Sequence, residues 1–154
     1  MNHILSSFTL ISLTIALVLT LTINRPAHAS LFHFSGTRPT TLGVQNGKLA
    51  PCPSTPNCIS SQAPDIAHQI QPIAASNLVK IKTAIGQIPD AVIISETENY
   101  LYAEFTSPLM GFVDDVEFYV DSASDVVHVR SASRLGESDL GANRQRVAKI
   151  RSMM

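Results

Sequence analysis

A chain of 154 residues has a one-domain length, and its apolar fraction of 45% would suit a well-buried core if it were evenly spread. Eleven basic against twelve acidic side chains leave a formal charge of −1, a balance that implies neither a nucleic-acid partner nor an anionic bilayer.

The apolar residues are not evenly spread. Between Ile4 and Ile23 there is no charged side chain, and this segment inflates the average. It is followed by "NRPAHAS", where Ala27, His28 and Ala29 form the small-x-small pattern of signal peptidase and Pro26 ends any preceding helix. Residues 1–29 therefore read as an export leader, with cleavage after Ala29 starting the mature chain at Ser30. Two features keep an uncleaved N-terminal anchor open: no Lys or Arg precedes Ile4, and the run exceeds the usual signal core of about 7 to 15 residues. In that case residues 4–23 supply a membrane contact, and Arg25, if it set the orientation, would favour a cytoplasmic domain instead. Loss of residues 1–29 removes Arg25 and takes the charge to −2.

Residues 30–71 are rich in Pro, Gly, Ser, Thr and Asn without a sustained period, and read as an irregular arm. The arm holds Cys52 and Cys58, separated by "PSTPN". Zinc usually takes four ligands and no second pair exists, so no metal or cofactor is expected. A redox pair wants C-x-x-C at a helix start, which two prolines in the spacer do not offer. In an oxidising compartment the simplest reading is one structural disulfide, contributing about 2 kcal/mol by chain entropy; free thiols in a reducing compartment are the alternative.

An α+β domain is expected over 72–154. Leu78, Ile81, Ile85 and Ile88 recur at helical spacing, with Ser76 placed to cap the first turn and Pro89 to stop the run. Beyond it the period drops to two. "AVIISET" and "YLYAEFTS" read as a hairpin around Glu98 and Asn99, "VDDVEFYVD" as a third strand and "VVHVRSASRL" as a fourth. Leu140, Val147, Ile150 and Met154 mark a C-terminal helix, with Lys149 and Arg151 near its negative end. The expected architecture is an antiparallel four-stranded sheet with helices packed on one face, preceded by the disulfide-stapled arm.

Alternation assigns Leu101, Ala103, Phe105, Val116, Phe118, Val120, Val127 and Val129 to the helix-covered face. The opposite face would carry Tyr102, Glu104, Asp115, Glu117, Tyr119, His128, Arg130 and Arg134. A turn centred on Ala123 and Ser124 puts Glu117 opposite Arg130 and Tyr119 opposite His128. Three readings of this face compete. It is a solvated face with cross-strand ion pairs. Or Arg130, Arg134, Arg144 and Arg146, with Asn143 and the helix-opening amides near Ser138, form an anion- or partner-binding site. Or the acidic cluster Asp114, Asp115 and Glu117 works with His128 as a hard-cation or hydrolytic site, although consecutive Asp114 and Asp115 point to opposite faces of a regular strand. No serine sits in a nucleophile elbow, and no catalytic residue is assigned.

"PCPSTPNCISSQA", "FTSPLMGFVDDVEFYVD" and "VRSASRLGESDLGANRQRVAKIR" together resemble an uncharacterised domain-of-unknown-function family, DUF1499, in its cyanobacterial and plastid form. The resemblance covers roughly Lys48 to Arg151. It implies a cell-envelope or thylakoid-lumen setting and no established activity, and it marks Asp114, Asp115, Glu117, Arg130, Arg134, Asn143 and Arg144 as lying in the family's motifs. No cysteine follows the apolar run, so lipidation of an N-terminal cysteine is not expected.

The expected function is a non-enzymatic binding or accessory module of the periplasm or thylakoid lumen, recognising an anionic ligand or an envelope or lumen protein. The alternative is a small hydrolase or metal-dependent enzyme using the acidic strand and His128.

Overall fold

A computed structural model describes residues 31–154; the leader and its cleavage site lie outside the described residues. Among the described residues, five strands and two helices follow in chain order. They are β1 (Cys58–Ser60), α1 (Val79–Gly86), β2 (Ala91–Glu96), β3 (Tyr100–Thr106), β4 (Val113–Asp121), β5 (Val126–Ser133) and α2 (Ala142–Ser152). All pair antiparallel in one sheet of order β1-β5-β4-β3-β2.

The expectation of four strands is corrected to five. The added strand, β1, comes from the segment read as irregular: Cys58, Ile59 and Ser60 pair with Ala132, Ser131 and Arg130 and are all buried. Three residues are too few for alternation to show. Cys58 is tied to Cys52 by the chain's disulfide, with a Cα–Cα distance of 5.6 Å, so the crosslink ends where the strand begins.

Alternation in the long strands holds, because each apolar side chain that faces inward finds a covered partner across the ladder. Phe118 pairs with Val129 and Val120 with Val127, and in the same register Glu117 pairs with Arg130 and Tyr119 with His128. Ile81, Ala84 and Ile85 of α1 and Val147 and Ile150 of α2 close over this apolar face. The N-cap residue of α1 is Leu78, which makes no side-chain cap bond; the Val79 amide is taken by Asn77 Oδ1 at 3.0 Å rather than by Ser76. Leu140 is 92% exposed and precedes α2, so it does not belong to the buried stripe.

The opposite face is not open to water. Tyr102, Asp115, Glu117 and Arg130 are buried. They are covered because the arm crosses the sheet: Arg38 reaches Glu104, the Gly43 amide reaches Glu117, and Leu49 is buried beyond them. Gly43 has φ +111°, a left-handed conformation that favours glycine and lets its amide turn toward the sheet. The sheet is thus a filling between two covers, helices on one side and the arm on the other.

Candidate functional site

The charged face is built by register. Cross-strand pairing sets Tyr102 opposite Glu117 and Glu104 opposite Asp115 on β3 and β4, while β5 brings Arg130 to Glu117. Arg134, just past β5, donates from Nε to both Asp115 oxygens at 3.1 and 3.0 Å, and its Nη2 reaches Asp115, Glu104 and the Tyr102 hydroxyl. Such a fork holds a planar guanidinium in one orientation. Contacts to Asp115 first, and to Glu104, hold the Arg134 guanidinium more firmly protonated than a free arginine. Glu104 feels two opposed effects. Burial alone would raise its carboxyl, but hydrogen bonds from Arg38, Tyr102 and Arg134 outweigh this and hold it down at about 2. The hydroxyls of Tyr100 and Tyr102 are pushed above the usual tyrosine range, chiefly by burial and then by the carboxylates they donate to.

Glu117 is fully buried, yet both oxygens are served. Oε1 accepts the Gly43 amide at 2.7 Å and the Tyr100 hydroxyl at 2.8 Å, and Oε2 accepts Arg130 Nη1 at 3.3 Å. Arg130 keeps one donor unused: its buried Nε has no protein partner among the described residues.

Asp114 and Asp115 do point to opposite faces. On the helix side Asp114 meets Arg146, whose guanidinium also bonds Ser131 and Asn143 and lies 5.1 Å from the Phe105 ring centre. Asn143, fully buried, donates to the Asn57 carbonyl, Ser133 and Asp139 and accepts from Ser131 and Arg146. The amides that open α2 are already occupied: Asp139 accepts from Gly141 at 3.0 Å and from Asn143 at 2.8 Å. Burial opposes ionisation of Asp139, but these amides outweigh it and lower its carboxyl below the usual range. Ser138 accepts only the Leu140 amide, at 3.4 Å. Arg144 clasps the carbonyls of Ala67 and Gln69 in the arm. Of the residues expected to bind an anion, Arg130 and Arg134 lie on the arm-covered face and Asn143 and Arg146 on the helix-covered face, held mostly by the protein's own acceptors, while Arg144 and Ser138 join neither group.

His128 does not join the acidic cluster. Its Nδ1 lies 3.1 Å from Ser61 Oγ, its Nε2 lies 3.7 Å from Asp121, and its ring stacks on Tyr119. Ser61 is the partner that sequence reasoning missed. The Ser61 amide donates to the Val129 carbonyl and its Oγ accepts the Val129 amide, so it prolongs the β1 ladder onto β5. That amide, spent on Ser61 itself, is not free to stabilise an oxyanion. Among the described residues no group of three or more His, Cys, Asp or Glu is placed to hold a metal ion, and no helix is long and apolar enough to cross a membrane.

Concavity lies elsewhere. An open groove of about 590 Å³ runs between the segment leading into α1 and the C-terminal end of α2. Gln71, Ser76, Asn77, Lys80 and Arg151 supply its polar wall, and no carboxylate side chain lines it. Arg151 donates to the Gln71 carbonyl, and burial lowers the pKa of its guanidinium. Sequence reading placed Arg151 only as a favourable charge at a helix end. Nothing in the sequence joined it to Lys80, which lies on the other helix.

A small α+β domain, with a sealed internal ion-pair network and an open cation-lined groove, is the class these features define. The chain belongs to the family described as protein of unknown function (DUF1499), whose sequence profile matches residues 48–154. That span takes in the disulfide and, among the described residues, the five strands and two helices. No curated protein matches the chain. No solved structure matches it either.

Proposed function

We propose that the protein is an exported, non-enzymatic binding or accessory module of the periplasm or thylakoid lumen, and that it takes an anionic group, carried by a small molecule or a partner protein, in the groove between α1 and α2. The observation that carries this reading is the groove's wall: Lys80 and Arg151 with amide and hydroxyl neighbours, and no opposing carboxylate side chain. A guanidinium in such a place gains by pairing with a carboxylate or phosphate. Arg134, Arg144 and Arg146 support the role indirectly, since they hold the frame and leave the anion to the groove. The Cys52–Cys58 disulfide supports an oxidising compartment.

Thermal unfolding of the purified full chain, titrated with inorganic phosphate and with citrate, tests the proposal. The melting temperature should rise with ligand, and the rise should vanish in Lys80→Gln/Arg151→Gln while Lys80→Gln alone weakens it. An absent rise, or an equal rise in the double variant, contradicts the reading.

The hydrolase alternative has one observation behind it, the Ser61–His128–Asp121 alignment. It requires Ser61 to react with a fluorophosphonate. We expect no labelling at Ser61, because its Oγ serves the Val129 amide; labelling abolished by His128→Ala would favour the enzyme.

A further inference from the structure

The first described residues form an exposed apolar patch. Phe32 and Phe34 stack at 6.2 Å between ring centres, and Phe34 stacks on Phe112 at 5.7 Å. Backbone bonds from the Phe32 amide to the Leu109 carbonyl and from the Phe34 amide to the Met110 carbonyl pin this strip to the β3–β4 loop. Phe32 is 52% exposed and Leu109 58%, and Leu31, Phe112 and Leu135 are exposed beside them. Gly36 makes the arrangement possible. Its φ of +64° turns the chain, and a Cβ there would meet Arg134 Cβ at 2.9 Å and Leu135 Cγ at 3.0 Å. Residues 31–37 and 107–112 contain no Asp or Glu.

Two facts select the occupant. The uncharged apolar run Ile4–Ile23 is long enough to cross a hydrocarbon layer, and only residues 24–30 separate it from Leu31, a reach of at most about 25 Å. The strip 31–37 and the loop 107–112 also have the composition of a bilayer interface, phenylalanine and leucine without carboxylates, rather than that of a charge-complementary protein surface. We infer that, with the leader retained as an N-terminal anchor, the Phe32–Phe34–Phe112 patch is a membrane contact, seated in the interface of the lipid bilayer that residues 4–23 enter.

The topology adds a consequence. The β3–β4 loop lies at the Val113 end of β4, beside Ser133 of β5. The groove residue Ile73 instead bridges to Val127, at the other end of β5. Contact through the patch therefore turns the groove away from the lipid. The inference does not depend on what the groove binds.

The chain has no tryptophan, so Phe112→Trp in the full chain introduces a single reporter, and Val79→Trp, 67% exposed on α1, places a matched one at the groove end. Each protein is reconstituted into phosphatidylcholine vesicles with and without brominated acyl chains. The expected result is blue-shifted emission from Phe112→Trp and quenching by brominated lipid at least twice that of Val79→Trp. Equal quenching of the two, or a blue shift without lipid quenching, which would signal a protein cover such as a second copy, overturns the inference. Circular dichroism checks folding, and Phe32→Trp serves as the patch reporter if Phe112→Trp is not native.

Discussion

The two faces of the sheet are buried by different chemistry. On one side Phe118, Val116, Val129 and Leu101 meet apolar residues of α1 and α2 and are fully enclosed. On the other, Glu117, Asp115, Arg130 and Arg134 are enclosed by the part of the arm before β1, which contributes the Gly43 amide and the Arg38 guanidinium. The first face gains stability from area removed from water; the second must compensate buried charge by partners. The densely charged, buried cluster is largely paired within itself and with the arm, whereas Lys80 and Arg151 line the groove with no carboxylate side chain among its lining residues.

Substitutions sharpen the contrast. Phe118→Ala empties the helix-covered face and should cost about 4 kcal/mol in urea unfolding. Glu117→Ala should cost about 3 kcal/mol, because Arg130, Tyr100 and the Gly43 amide lose their acceptor together. The paired change Glu117→Leu/Arg130→Met separates the mechanisms: it should recover only the share of that loss due to the stranded Arg130 charge, because the Tyr100 hydroxyl and the Gly43 amide still lack their acceptor. No recovery at all would mean that the stranded Arg130 charge carries none of the cost, which then lies with the Tyr100 and Gly43 donors. Cys52→Ser/Cys58→Ser should cost about 2 kcal/mol and loosen β1 first.

A smaller effect is carried by pH. Glu104 ionises at about 2 in the folded chain against an ordinary 4.5, so its contribution is fully present above pH 4.5 and is lost as pH falls toward 2. Glu104→Gln should flatten the corresponding part of the urea-midpoint profile between pH 5 and pH 2. An unchanged profile would place the acid sensitivity elsewhere. Smallest of all, Lys82→Ala breaks the exposed pair with Glu96 and should shift stability by less than about 0.5 kcal/mol.

Much of the sheet was legible because apolar pairs such as Phe118 with Val129 match only in one register, and that register carries Glu117 to Arg130 with it. The opposed directions of Asp114 and Asp115 follow from the same period of two. What sequence could not show was the cover. Gly43 and Arg38 lie in a segment with no period, and their contacts to Glu117 and Glu104 span 74 and 66 residues. Strand β1 was hidden for a related reason, since three buried residues beside a disulfide carry no alternation. The groove was hidden because Lys80 and Arg151 come from two helices whose charged positions look like ordinary solvated faces.

The Gly43 amide tests the central point most directly, because it exists as a protected group only if the arm lies on Glu117. Hydrogen exchange at neutral pH should find it slowed by more than about a hundredfold relative to the unfolded chain, with that protection lost in Glu117→Ala under conditions where Val129 and Phe118 stay protected. Exchange of Gly43 at the unfolded rate in the native protein would mean that the charged face stands open to water, and its arginines would again be free to bind.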